Sequence, residues 1–299
     1  MANRTPPLLN DAERAQARQL IKAALQEDLS EAGDLTSNAL IPLSELGSVN
    51  IVARQAGVLS GLPFVDIVFN LLGEGVTVVR HVQDGADLEP GMVVATLSGP
   101  VHTLLSGERT ALNLLTLLSG NASLTAKFVD AVSGTRARIL DTRKTLPGLR
   151  LLQKYAIRCG GGINHRIGLY DAVLIKDNHI GAWNKGGARS LKDILQQARA
   201  YASGCVTIEI EVDTLEQLRD ALGGKPDIVL LDNMTLDMLR EAVSIRNTQA
   251  PTVHLEASGG VNLETVRDIA LTGVDRISIG ALTHSAPALD LAFDWVVEQ

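Results

Sequence analysis

The sequence predicts an α/β protein whose second part carries a sheet of parallel strands. From residue 137 onward, short apolar runs end in polar or glycine residues and are followed by helical segments, and this pattern recurs to residue 280. Before residue 100, strands and helices do not alternate regularly, which is typical of an α+β arrangement with an antiparallel sheet. At 299 residues, the chain can form one large α/β domain, or a barrel-sized domain with a smaller one.

The composition excludes several classes of protein. A net charge of −7 and only 3% aromatic residues argue against a basic, stacking groove for nucleic acid. The longest apolar runs, such as Ile228 to Leu231, are too short to cross a bilayer, and the N-terminal stretch lacks the apolar core of a secretory signal. Cys159 and Cys205 are too far apart for a disulfide framework or a zinc motif. We therefore expect a reducing, cytoplasmic location.

The first predicted element is a helix near the N-terminus. Asn10 can cap it together with Glu13, and an apolar stripe follows at helical spacing. The polar run from Glu27 to Thr36 predicts a turn rather than a metal site, because no histidine or further carboxylate is near it in the sequence. The next predicted elements are strands at Ser48–Arg54 and Gly57–Ser60, a helix at Leu62–Leu72, and strands at Val76–Val82 and Met92–Leu97.

A long helical pattern follows from Leu104 to Val132, and the run Ser119-Gly120-Asn121 predicts a break in it. Arg109 lies in this pattern among leucine and alanine residues that we expect to pack. Taken alone, a single arginine on an amphipathic helix is typical of a solvated face. A binding role for Arg109 therefore needs further support.

In the second part, each predicted strand ends in a polar or glycine tip. Consecutive βα units with short loops require parallel strands and right-handed crossovers, so their tips must lie on one rim. The pattern gives six such strands rather than eight, so it does not indicate a complete barrel. The predicted strands are Ala137–Leu140, Ala172–Ile175, Thr207–Ile210, Ile228–Leu231, Val253–Glu256 and Arg276–Ile279.

This rim is the predicted active site, because parallel α/β barrels carry their chemistry at the carboxyl ends of the strands. The last two loops contain Ser258-Gly259-Gly260 and Gly280, whose backbone N–H groups suit a phosphate, although Gly259-Gly260 can equally make a plain tight turn. The residues that the pattern collects on the rim are Arg143, Lys144, Lys176, Glu211, Asp232, Ser258, Gly259 and Gly280.

The segment between the first two of these strands adds further cations. A triple glycine at 160–162 predicts a loop near the rim, and His165 and Arg166 follow it. A lone histidine is typically structural, but beside several rim cations it favours ligand binding. These cations predict an anionic ligand, whereas Glu211 and Asp232 would repel a phosphate unless they bind hydroxyls or a divalent metal. A phosphorylated sugar meets both conditions.

Seven ordered motifs resemble the quinolinate phosphoribosyltransferase family. They are GERTALN at 107–113, DTRKT at 141–145, GGINHR at 161–166, IKDNH at 175–179, EVD at 211–213, LDN at 231–233 and EASGG at 256–260. The resemblance implies an incomplete α/β barrel with parallel strands plus an N-terminal α/β sandwich domain. It divides the chain into a sandwich at 1–115, with the tail 284–299 packed on it, and a barrel-like catalytic domain at 116–283.

The resemblance also implies a reaction and roles for residues. Quinolinate and phosphoribosyl pyrophosphate would give nicotinate mononucleotide, pyrophosphate and carbon dioxide in de novo NAD biosynthesis, with Mg²⁺ bound through substrate and water. The roles it implies are Arg143, His165 and Arg166 for the quinolinate carboxylates, Arg109 from the partner subunit of a homodimer, Lys144 and Lys176 for pyrophosphate and substrate anions, Glu211 and Asp232 for ribose hydroxyls and hydrated Mg²⁺, and Ser258, Gly259 and Gly280 for a phosphate. It leaves higher oligomers open.

Three alternatives stay open at this point. A Schiff-base aldolase would use Lys176 or Lys144 at a strand end, but it would need a neutral lysine and a less cationic pocket. A phosphosugar-binding module would bind phosphoribosyl pyrophosphate without turnover. A related phosphoribosyltransferase would accept nicotinate or another pyridine. The role of Asp141 is also undecided, since it can act only by orienting its basic neighbours.

Overall fold

The computed structural model describes residues 7–186, 190–202, 204 and 206–296, so Cys205 lies outside the described residues. The chain forms two compact units. The first comprises residues 1–126, 145–161 and 281–299, and the second comprises residues 127–144 and 162–280. Both this division, after residue 126, and the boundary expected from the sequence, between residues 115 and 116, fall within a single helix, Val101–Ala131.

The first unit is built on a four-stranded antiparallel sheet. Its strand order is β12-β1-β5-β3, so the last strand of the chain pairs with the first. A small two-stranded sheet joins β2 and β4. The elements of this unit are α1 (Asp11–Leu29), α2 (Leu35–Leu40), β1 (Leu46–Ala53), β2 (Gly57–Val58), α3 (Leu62–Leu72), β3 (Thr77–Arg80), β4 (Asp87–Leu88), β5 (Val93–Pro100), most of α4 (Val101–Ala131), α5 (Arg150–Cys159), α11 (Ala281–His284) and β12 (Leu291–Trp295).

Local capping fixes the start of the chain. Asn10 and Glu13 form the predicted capping box at the start of α1, where each side chain accepts a hydrogen bond from the other's backbone N–H. The prediction of a turn throughout 27–36 is wrong at both ends, because α1 runs to Leu29 and α2 begins at Leu35. Asp34 caps α2 by accepting from the backbone N–H of Ser37. The hydrogen bond from the Ser37 hydroxyl, followed by this backbone bond, lowers the pKa of Asp34.

The predicted break in the long helix is also wrong, because α4 continues through Ser119, Gly120 and Asn121. Gly120 lies where another chain segment packs: a Cβ atom there would be 2.1 Å from the backbone oxygen of Pro287. The side chains of Ser119 and Asn121 bond to neighbouring segments of the first unit rather than to their own helix. Residues that look like helix breakers therefore serve close packing here.

The second unit contains a six-stranded parallel sheet in the order β6-β11-β10-β9-β8-β7. The first strand pairs with the last and not with the second, which is the arrangement of a barrel that remains open between β6 and β7, as predicted. Its elements are β6 (Arg138–Leu140), β7 (Val173–Ile175), α6 (Asp177–Trp183), a 3-10 helix (Asn184–Gly186), α7 (Leu191–Tyr201), β8 (Ile208–Val212), α8 (Leu215–Gly223), β9 (Ile228–Asp232), α9 (Leu236–Gln249), β10 (His254–Ser258), α10 (Val266–Leu271) and β11 (Arg276–Ser278).

Arg158 and Cys159 precede the triple glycine in the sequence and lie in the first unit. Arg158 and Cys159 belong to α5 of the first unit, not to a rim loop, and Arg158 forms a 2.8 Å ion pair with Glu13. Cys159 is a buried free thiol whose pKa is raised by burial. Within the described part of the chain, no helix has the length and apolar character to cross a membrane.

Candidate active site

The carboxyl ends of the parallel strands bring most of the predicted site residues to one edge of the second unit. Because the strands are parallel, the residues that end or follow them share this edge. Three of them lie inside strands rather than beyond them, since β8, β9 and β10 each run further than predicted. The positions are Arg143 and Lys144 after β6, Lys176 after β7, Glu211 in β8, Asp232 and Ser258 at the ends of β9 and β10, Gly259 after β10, and Gly280 after β11.

Arg143 and Arg166 lie near enough at this edge for the charge of one to affect the other, and each has a buried donor atom without a hydrogen-bond partner among the described residues. Burial lowers the pKa of Arg166, and the positive charge of Arg143 lowers it further. The Nε atoms of both side chains are buried and have no hydrogen-bond partner among the described residues. Arg166 makes one 3.3 Å bond through Nη1 to the backbone oxygen of Ala172. Two guanidinium groups with unfilled buried donors are suited to binding an anion with more than one carboxylate.

Asp141 fixes the segment that carries His165 and Arg166. Ile163 forms an isolated parallel bridge with Leu140, which brings this segment alongside the end of β6. The fully buried Asp141 carboxylate accepts bonds from the side chain of Asn164 at 2.7 Å and from the backbone N–H of His165 at 2.8 Å. Asp141 therefore orients its neighbours, as the sequence allowed.

Below the edge, His165 meets two buried glutamates that were not among the predicted site residues. Its Nε2 atom lies 3.0 Å from Glu209 Oε2 and 3.3 Å from Glu256 Oε1. Arg276 binds the other oxygen of Glu256 at 2.6 Å. Burial raises the pKa of Glu209, and the charge of Glu256 adds to this rise. For Glu256 the pKa is lowered overall, because the ion pairs with His165 and Arg276 outweigh the effect of burial.

The rim also carries two carboxylates with polar partners. Glu211 lies 2.5 Å from the ammonium group of Lys176, and only 12% of its side chain is exposed. Asp232 accepts a 2.7 Å bond from the side-chain amide of Asn233. Oxygen donors of this kind suit hydroxyl groups or a hydrated divalent cation.

Comparison with known proteins decides the family. A family model described as the C-terminal domain of quinolinate phosphoribosyl transferase matches residues 122–294, and the model for the N-terminal domain matches residues 34–119. This chain belongs to the quinolinate phosphoribosyltransferase family. The identification made from the seven motifs is therefore confirmed, and so is the mixed α/β fold.

Relatives in the quinolinate phosphoribosyltransferase family cover almost the whole chain. The nicotinate-nucleotide pyrophosphorylase (carboxylating) of Mycobacterium leprae is 46% identical over 96% of this chain and 100% of its own length. A probable enzyme of the same name from Bacillus subtilis is 42% identical over 93% of both chains. The structure of the nicotinate-nucleotide pyrophosphorylase from Francisella tularensis has a TM-score of 0.88 and 36% identity, and covers 98% of this chain and 100% of that one.

The sequence of this quinolinate phosphoribosyltransferase family member contained one signal for the missed glutamates. Strand β8 reads Ile-Glu-Ile-Glu-Val, whereas a strand buried on both faces of a parallel sheet is normally an unbroken apolar run. Side chains two residues apart on a strand point to the same face, so Glu209 shares a face with Glu211. An acidic residue below the rim therefore needed a buried partner. Which partner it had was not readable from the strand.

Arg109 belongs to the first unit and is exposed on α4. Its predicted role across a subunit interface stays a prediction. Among the residues proposed for the site, it is the one that the structure places outside the second unit.

Proposed function

We propose that this member of the quinolinate phosphoribosyltransferase family converts quinolinate and phosphoribosyl pyrophosphate to nicotinate mononucleotide, pyrophosphate and carbon dioxide. The observation that carries the proposal is the pair Arg143 and Arg166, whose buried Nε donors lack partners among the described residues. Quinolinate has two adjacent carboxylates, and planar guanidinium groups bind carboxylates through two parallel hydrogen bonds. His165 adds a third group to this set.

The remaining residues fit the second substrate. Lys144 and Lys176 supply positive charge for the pyrophosphate, and Glu211 and Asp232 supply oxygen atoms for the ribose hydroxyls. The same two carboxylates fit a hydrated magnesium ion, which binds chiefly through water and phosphate oxygens. When bound with phosphoribosyl pyrophosphate, magnesium neutralises charge on the leaving group. Ser258, Gly259 and Gly280 provide backbone N–H groups and a hydroxyl for the sugar phosphate.

The chemistry follows from this arrangement. The bond from the anomeric carbon to pyrophosphate breaks, and the developing positive charge on the ribose is favoured by the nearby carboxylates Glu211 and Asp232. The pyridine nitrogen then bonds to that carbon and becomes a pyridinium. Loss of carbon dioxide from the adjacent ring carbon leaves an electron pair there, which the pyridinium stabilises until the carbon takes up a proton. No covalent bond to the protein is required.

A homodimer completes the proposal. Arg109 of one subunit would reach the quinolinate site of the other, and its exposure on α4 supports this use. We also propose that the enzyme acts in the cytoplasm.

Replacing Gly259 by alanine should raise the KM for phosphoribosyl pyrophosphate about tenfold or more, because the added Cβ atom forces the loop after β10, which carries the proposed phosphate site, to move. Gly259 has a φ of +98°, and a Cβ atom there would be 2.1 Å from Asn233 Oδ1 and 3.0 Å from the Asn233 backbone nitrogen. The matched control is Gly260→Ala, where φ is +60° but no atom lies within 4 Å of the added Cβ. Steady-state kinetics and the Tm of both variants provide the comparison, and equal KM values would contradict the assignment.

The activity itself is tested by product release. We expect nicotinate mononucleotide and carbon dioxide from quinolinate, Mg²⁺ and phosphoribosyl pyrophosphate, and no comparable turnover when nicotinate replaces quinolinate. Binding of phosphoribosyl pyrophosphate without turnover would favour the binding-module alternative.

Borohydride trapping with a carbonyl substrate tests the aldolase alternative, and a stable adduct on Lys176 would overturn the proposal.

A further inference from the structure

The glutamate pair beneath the rim has no role in the reaction as proposed so far. Glu209 is 2% exposed and Glu256 is fully buried, and they reach His165 from two different strands, β8 and β10. Buried carboxylates are costly unless their charges are paired. The presence of both beside His165 therefore calls for an explanation in terms of that histidine.

Charge balance shows what the cluster lacks. Arg276 from β11 pairs with Glu256, so the two carboxylates and one guanidinium leave one negative charge in excess. One proton on His165, shared with Glu209 across their 3.0 Å contact, brings the cluster to neutrality. The ligand atoms of His165, Glu209 and Glu256 lie within 4.8 Å of one another, close enough to share a divalent cation. Such a cation would leave a buried positive charge in excess, so the balance favours a proton.

The imidazole ring is held at both nitrogen atoms. Nε2 faces the glutamates, and Nδ1 lies 2.8 Å from the backbone nitrogen of Arg166. Nδ1 can accept that bond only when it carries no proton, because a protonated ring nitrogen is a donor. In the imidazolium form, Nδ1 becomes a donor, so the bond from the Arg166 backbone N–H is lost and Nδ1–H needs an acceptor. Water supplies that acceptor in the free enzyme, and a substrate carboxylate supplies it in the complex.

We propose that Glu209 and Glu256 are positioning residues: they hold His165 through Nε2 and favour its cationic form, so that Nδ1–H donates to a carboxylate of the pyridine substrate. This inference rests on the proposed function. The charged and titratable groups around the ring are Glu209 of β8, Glu256 of β10, Arg276 of β11 behind Glu256, Asp141 at the end of β6 on the His165 backbone, and the adjacent Arg166.

The direction of the His165 pKa agrees with this geometry. Burial by itself would lower the pKa, but the hydrogen bond to Glu209 and the ion pair with Glu256 raise it to about 9 from an ordinary 6.5. Because the folded value lies above the unfolded one, this ionisation stabilises the fold fully below pH 6.5. The contribution is lost as the pH rises through about 9. Quinolinate binding should weaken over the same rise in pH.

The experiment is an NMR titration of the His165 ring in the ligand-free, full-length protein. The chain has six histidines, and the spectrum of a His165→Asn variant identifies the His165 signal by its absence. We expect the wild-type ring to titrate near pH 9, and Glu209→Gln and Glu256→Gln to lower that midpoint by at least about one pH unit. At pH 8, both variants should raise the KM for quinolinate about tenfold, with the KM for phosphoribosyl pyrophosphate unchanged.

The matched control is Asp275→Asn. Asp275 is also a buried carboxylate of the second unit and pairs with Arg246 at 2.6 Å, but it precedes β11, at the opposite end of the strands. It should lower the Tm without moving the His165 midpoint or the quinolinate KM. A wild-type midpoint at or below 6.5 overturns the proposal even if the glutamate variants do not fold. Unchanged midpoints in folded variants also overturn it. The titration uses no substrate, so absence of quinolinate turnover in the wild type would count against the proposed function alone.

Discussion

Arg143→Ala should raise the KM for quinolinate by about a hundredfold, since two charge-assisted hydrogen bonds in a buried site are lost. Arg143 offers a buried Nε donor that has no partner among the described residues, so the free enzyme loses no hydrogen bond at that atom. Its removal also relieves the repulsion that lowers the pKa of Arg166. The Tm of Arg143→Ala should therefore change little, and binding of phosphoribosyl pyrophosphate should persist.

Two further variants make this result specific. Arg143→Lys keeps the charge but removes the planar fork, so it should recover only part of the lost affinity. Arg267→Ala removes an arginine of the same unit that bonds to backbone oxygens of Ala131 and Ser133 in place of a ligand, and it should leave the quinolinate KM unchanged. Full quinolinate affinity in Arg143→Ala, measured by calorimetry, would refute the carboxylate assignment.

Mixing two inactive variants should restore activity if Arg109 acts across a subunit interface. Arg109→Ala and Arg143→Ala should each have very low activity as pure dimers. In a mixed dimer, one site combines the intact Arg143 of one subunit with the intact Arg109 of the other. Random exchange makes half the dimers mixed, each with one complete site, so activity should recover to about a quarter of the wild-type value. The measurement is carbon dioxide release after subunit exchange.

The controls separate this effect from simple dilution. Mixing Arg143→Ala with Lys176→Ala should restore nothing, because both residues lie in the second unit of the same subunit, and one site of each mixed dimer lacks Arg143 while the other lacks Lys176. Recovery in that control would point to a different sharing of residues. No recovery with Arg109→Ala, despite exchange shown by mass spectrometry of the intact dimers, would place Arg109 outside the catalytic site of the partner.

The sequence by itself determined the parallel sheet and the edge at which its strands end. Each apolar run in the second part is short, ends in polar or glycine residues and is followed by a helix, and chain connectivity then forces every strand end to one side. For this reason, the sequence was sufficient to assign Arg143, Lys176 and Asp232 to that edge. The motifs were also sufficient to identify the family. Local cues fixed the capping box at Asn10, since its two partners are three residues apart.

Only the tertiary structure decided which buried groups face one another. Gly120 looked like a helix break, but it is the point where the backbone near Pro287 packs against α4. Glu209 and Glu256 are 47 positions apart in the printed sequence, and neither strand indicates that both reach His165. The spacing of apolar residues along the chain indicates which face of an element is buried, because the side chains on one face recur at a fixed period. The partner of a buried charge depends on strand order and register, which only the folded chain defines.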